Sequence, residues 1–251
     1  KRLSKGEKAN RKRMATVASV YEIAPFMRTP EQILSELDHI RDATEKRRPK
    51  PSNKRVWASV ERSSEDITRE AFAEVLKCDP EKKKKLVCLV DGDPRQIDRI
   101  ENESKTRQIP VTIICDIIHV IEYLWKASRV LNEETSKEAE EWVNHRLSEI
   151  LKGKCSDVAG GIRRSATLRG VPESKREPID KCADYLTNKS QYMKYDEYLK
   201  HGYPIATGVI EGACRYLIKD RLDITGARWS VAGAEAILKL RSLRASGDFD
   251  D

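Results

Sequence analysis

Two short, continuously apolar runs constrain this chain more than anything else in it: KLVCLVDG at 85–92 and VTIICD at 111–116. Neither alternates apolar with polar residues, so each needs cover on both faces, as the inner strands of a parallel sheet do. Both end on an aspartate. The stretch from Pro94 to Arg107 between them has helical character. A strand, a helix and a strand in that order belong to a parallel or mixed sheet covered by helices.

The segments upstream repeat the alternation. MATVASVYEI at 14–23 and VWASV at 56–60 read as strands. Thr29-Pro30-Glu31-Gln32 has the form of a helix start, with Thr as N-cap, Pro in the first turn and Gln at the capping-box position. That helix carries Ile33, Leu34, Leu37 and Ile40 at helical spacing and ends before the basic loop RRPKPSN. A second helix opens at Ser63 or Ser64 and carries Ile67, Ala71, Val75 and Leu76. The expected class is α/β, a parallel or mixed sheet covered by helices. From residue 117 strand signals end. Helices are expected from Ile117 and around 137–151, 155–169, 174–188, 208–220 and 231–245, punctuated by Gly160-Gly161, Gly170, Pro172 and His201-Gly202-Tyr203-Pro204.

Composition narrows the function classes. Of 251 residues 35% are charged and the net charge is +7, which suits a polyanionic partner, because phosphates attract clustered Lys and Arg, and equally a merely basic soluble protein. No run approaches the roughly 20 apolar residues that a membrane-spanning helix needs. The basic start, Lys1 to Arg13, has no apolar core after it and does not read as a signal peptide. Six cysteines occur without a C-x-x-C pair, against a zinc ribbon, and Cys88 and Cys115 read as small core residues of a reduced, cytosolic protein.

Three groups can carry chemistry. Asp91 ends an apolar strand and so emerges at the carboxyl edge of a sheet, where α/β folds place their sites; it is equally a good Asp-Gly turn residue. Asp116 is placed to cap the helix after it by accepting the amide of residue 119. His119 then reads as a metal ligand, a phosphate contact or a buried imidazole. Glu211 shares a helical stripe with Arg215 and Lys219 at four-residue spacing, which suits an exposed ion pair. Gly208 and Gly212 flank it at about 1 kcal/mol each relative to Ala, a cost that close approach of a backbone or ligand would explain. Together, a carboxylate at a strand end and a Glu on a late helix suit a two-metal phosphoryl-transfer site, with oxygen ligands fitted to Mg2+ or Mn2+.

The stretches LVDGDPRQIDRIE, VTIICDIIHVIEYLWKA, VAGGIRRSAT and above all the segment from Gly202 to Trp229, with GVIEGACRYLIKDRLDITGARW, resemble the insertion-sequence transposases of the Kra group. These are DDE enzymes with a ribonuclease H-like core. The resemblance implies a ribonuclease H-like mixed sheet with flanking helices and a C-terminal helical region. It implies a partial core at 1–116, a helical insertion at 117–205 and helices at 206–251 that complete the core. It implies metal-dependent cleavage and transfer of DNA strands by a bacterial, nucleoid-associated protein that acts as a homo-oligomer on terminal-repeat and target double-stranded DNA. By motif, Asp91 matches the second catalytic Asp, Glu211 the catalytic Glu, and Asp116 with His119 the supporting D-x-x-H signature. Asp91 and Glu211 would share two Mg2+ or Mn2+ ions, and Arg215, Lys219, Arg221 and Arg228 would contact phosphates. The first catalytic Asp has no match, so the first strand is expected to be missing, the site incomplete, and the strand at 14–23 left with an unpaired edge. The competing expectations are a nuclease on the same fold and a non-catalytic DNA-binding remnant that uses Lys82–Lys85, Lys219, Arg221 and Arg228.

Overall fold

The continuous apolar runs become two parallel strands side by side. In the computed structural model, which describes residues 13–37, 47–224 and 227–249, β3 (Leu86–Val90) pairs parallel to β4 (Val111–Cys115), with Val90 opposite Cys115. The helix α3 (Pro94–Arg107) makes the crossover; Asp93 caps it by accepting the Arg95 amide at 2.8 Å. Upstream, β1 (Thr16–Glu22) and β2 (Ser52–Ser59) form an antiparallel pair. The helix α1 (Pro30–Leu37) starts with the expected capping box, Gln32 donating its amide to Thr29 Oγ1 at 3.3 Å and accepting from the Thr29 amide at 2.9 Å. Ile40 and Lys1–Lys12, also read from the sequence, lie outside the described residues. Ser63, rather than Ser64, caps α2 (Ser64–Cys78), reciprocally with Asp66.

The chain is a mixed α/β protein, mostly helical, and one expectation changes here. Among the described residues the four strands form two separate two-stranded sheets instead of one mixed sheet. No described strand lies between the free edge of β1 and that of β3. A cleft of about 970 Å³ separates them, lined along its length by both strands. For the same reason Leu86 to Leu89 are only half-buried, where the unbroken apolar run suggested full burial; Val90 alone is buried.

The helical region packs behind β4. The helices α4 (Ile117–Leu131), α5 (Lys137–Leu151), α6 (Cys155–Leu168) and α7 (Glu173–Asn188) enclose Leu124, Leu147, Ile150, Ile162 and Leu186 in one core continuous with Ile114. Gly160 and Gly161 lie inside α6 rather than between helices, because Val158, Ile162 and Ala166 bury its other face. The short α8 (Tyr195–Lys200) is tied to the sheet by the buried Tyr195 hydroxyl, which donates to the Cys115 carbonyl at 2.7 Å.

The single helix expected at 208–220 is instead α9 (Gly208–Ala213) followed by a π-helical turn, Cys214–Lys219. It packs with α10 (Val231–Ser246) around a second core of Val56, Ala58, Ala213, Leu217 and Leu238, covering β2. Glu235 of α10 is buried at 4% exposure and accepts from the Ser59 hydroxyl and, at 3.0 Å, from the Val60 amide. A buried carboxylate is stable only when donors meet it, and these do. Among the described residues no helix is long and apolar enough to cross a membrane, and all six cysteines are free.

Candidate functional site

The parallel register of β3 and β4 carries Asp91 and Asp116 to adjacent positions just beyond the two strand ends, and the Asp116 amide donates to the Val90 carbonyl at 2.8 Å. The carboxyl ends of parallel strands are where such folds leave a crevice. Asp91, Asp116 and His119 all line the cleft between β1 and β3.

Asp91 is exposed, and it has both of the characters read from the sequence. One carboxylate oxygen accepts the Asp93 amide at 2.8 Å, as an Asp-Gly turn residue does, while the group still faces the cleft mouth. Its backbone is pinned from the helical region: the Tyr185 hydroxyl of α7 donates to the Asp91 carbonyl at 2.8 Å. Gly92 is required there. Its φ is +97°, and an added Cβ would stand 2.8 Å from the Tyr185 ring. Burial pushes the Tyr185 hydroxyl pKa well up, so it remains a donor. Tyr185→Phe is expected to cost about 1 kcal/mol and 2 to 4 °C of melting temperature, with faster amide exchange at Gly92 and Asp93. Unchanged exchange would show that Tyr185 does not hold the Asp91 turn.

Asp116 is fully buried and plays a different part. One oxygen caps α4 by accepting the Ile118 amide at 2.8 Å, one residue earlier than expected. The other accepts both the hydroxyl and, at 3.0 Å, the amide of Thr207. Three donors and no exposed surface make Asp116 a latch between the end of β4 and the start of α9. His119, in the first turn of α4, is partly exposed to the cleft and has Nδ1 3.5 Å from Glu122 Oε2.

Glu211 is exposed. The neighbouring Val209 and Ile210 turn toward the cleft, and Glu211 is not among its lining residues. The expected stripe is broken too, since Arg215 pairs with Asp220 at 3.9 Å rather than with Glu211. An added Cβ at Gly208 meets nothing within 4 Å and one at Gly212 only Tyr216 at 3.8 Å, so close packing inside the chain does not explain these glycines. Lys219, Arg221 and Arg228 are exposed, with Arg221 stacked 5.5 Å over the Trp229 ring. In the lysine run, Lys82 donates to the Arg107 carbonyl at 2.7 Å, and Lys83 and Lys84 pair with Glu81 and Glu22.

The chemistry open to the site follows. Burial pushes the thiols of Cys88 and Cys155 up to about 12 and that of Cys115 to about 11, so they stay protonated and are poor nucleophiles. Among the described residues no group of three or more His, Cys, Asp and Glu side chains is placed to hold a metal ion. Asp91 offers one free carboxylate oxygen, and Asp116 has its oxygens engaged. The residues present do not fit a two-metal centre. Thr207 and Tyr185, which position the two aspartates, escaped the sequence reading, because no local pattern marks a partner so far along the chain. Comparison with protein-family models, curated proteins and solved structures finds no match to this chain.

Proposed function

We propose that this chain is the core of a DNA transposase that cuts and joins strands of duplex DNA, built on a ribonuclease H-like sheet. The observation that carries the reading is the cleft. It has Asp91 and His119 at one end, at the carboxyl ends of two parallel strands, and the free edges of β1 and β3 along its walls. One strand seated between those edges joins the two pairs into a five-stranded mixed sheet, the arrangement implied by the resemblance of the segments around Asp91 and Glu211. Mg2+ or Mn2+ chemistry needs more carboxylates than the cleft offers among the described residues. The role assigned to this chain's own residues is therefore limited to Asp91 as an acceptor at the mouth, His119 beside it, and an exposed cationic segment after α9 that binds phosphates.

That segment gives the test. Binding to a duplex of random sequence is expected to weaken with salt, and each phosphate contact removed should lower the slope of log affinity against log salt by about 0.9. Lys219→Ala and Arg228→Ala are expected to show the change in full. Arg215→Ala and Arg221→Ala should show less, since Asp220 and Trp229 already engage those side chains. A slope that none of the four alters removes the nucleic-acid reading. Cleavage without joining, by a form whose cleft holds a strand, would leave a nuclease instead.

A further inference from the structure

We propose that Arg146 of α5 and Arg169 at the end of α6 hold a phosphate dianion, either the free ion or the terminal group of a phosphate ester. The inference does not rest on the transposase reading, because unmet donors and unmet charge in the helical region define it.

The donors come first. The Arg146 guanidinium sits over the Trp142 ring, 3.9 Å from its centre, which shields it from water and fixes it. One of its terminal nitrogens donates to Ser165 Oγ of α6 at 3.3 Å. Among the described residues its buried Nε meets no acceptor, and neither does the buried indole Nε1 of Trp142, a residue only 7% exposed. Buried N–H groups nearly always have an acceptor, so two orphans on side chains in contact are an exception that calls for one.

The charge is unmet as well. Arg129, Arg163 and Arg176 of the same helices pair with Glu134, Asp184 and Asp180. Arg146 and Arg169 have no carboxylate partner among the described residues, and the ionised group that acts on Arg146 most strongly is Arg169 itself. Burial and that like charge push the Arg146 guanidinium below its ordinary pKa, yet it stays charged. Arg169 is anchored at the end of α4, where a single terminal nitrogen donates to the Leu131 carbonyl at 2.7 Å and to Asn132 Oδ1 at 3.1 Å. Its Nε and its other terminal nitrogen are left to bind.

The unmet groups are donors, so the ligand is an acceptor, and two uncompensated charges ask for a dianion. A phosphate monoester carries a charge of about −1.5 to −2 and several strong acceptor oxygens, which two guanidinium forks can grip from different helices. A carboxylate brings one charge and two oxygens, enough for one fork.

The probes are inorganic phosphate, AMP as the ester and acetate as the carboxylate, each titrated calorimetrically into the full chain. We expect 1:1 binding of phosphate or AMP, with melting raised by about 3 to 6 °C at about ten times Kd. Acetate is expected to bind about tenfold more weakly or worse. Arg146→Met keeps an unbranched stem against Trp142 and is expected to weaken phosphate by at least tenfold. It should also keep or raise the melting temperature without ligand, because it removes a half-buried charge that nothing offsets. Arg169→Gln, at an exposed position, should weaken phosphate similarly. Arg164→Ala, exposed on α6, lowers the net charge equally and should leave the affinity unchanged. The tighter of phosphate and AMP identifies the source as free ion or ester. Absence of binding by both, equal binding of acetate, or equal losses in all three variants overturns the proposal. So does a large loss of stability in Arg146→Met, the mark of a merely structural arginine. Displacement of phosphate by a duplex without terminal phosphates also overturns it, since the pair would then bind nucleic-acid backbone. The variants differ from those that test duplex binding, so failure here and failure of the transposase reading are distinguishable.

Discussion

Gly202→Ala is expected to lower stability by about 2 to 5 kcal/mol, a loss on the order of 10 °C in melting temperature. Gly202 has φ +72°, and an added Cβ would stand 2.5 Å from the Phe26 amide nitrogen. Backbone rather than a movable side chain blocks the space. The same amide donates to the Gly202 carbonyl at 2.9 Å, and the Arg28 amide donates to Leu199 at 3.3 Å. The glycine thus stitches the segment leaving β1 to the end of α8, and alanine would push the two apart. Gly170→Ala is the control: its φ is +63°, but nothing lies within 4 Å of an added Cβ, so only the left-handed conformation, about 1 kcal/mol, is at stake. Denaturant titration of both variants decides. Equal losses would mean that the contact with Phe26 is not built into the fold.

Asp116→Ala is expected to cost about 3 kcal/mol, because it takes the acceptor from the Ile118 amide and from both donors of Thr207, all three partly buried. Asp116→Asn keeps one acceptor oxygen and should lose about half as much. The helical signal should survive in both variants while α9 loosens, visible as faster amide exchange from Thr207 to Glu211. If Asp116→Ala melts within a degree of the parent, the carboxylate is not a latch, and a direct role in the cleft chemistry returns.

Local devices were legible and long-range ones were not. The Thr29–Gln32 capping box, the Asp116 cap and the succession of β3, α3 and β4 each leave their mark within a few residues or within an uninterrupted apolar run. The second oxygen of Asp116 meets Thr207, 91 positions away, and Tyr185 meets the Asp91 carbonyl, 94 away. Periodicity carries no information about such partners. The Glu211–Arg215–Lys219 stripe failed for another reason. Four-residue spacing aligns side chains only while the turn stays α-helical, and from Cys214 it is a π-turn. Full burial of β3 failed because an apolar run says that a strand wants neighbours, not that it has them on both edges.

The seating of α10 on β2 also sets the order of events at birth. The Val56 amide finds its partner in the Ser246 hydroxyl, 190 residues later, and Ser59 finds Glu235 after 176. At roughly 5 to 20 residues per second, a ribosome takes about 10 to 40 s to supply that cover. Through that interval the β1–β2 pair emerges with the face destined for α10 still bare, a surface for chaperones to hold and for neighbouring nascent chains to misuse. The helices α4 to α7, which pack chiefly against one another, are free to fold in the meantime.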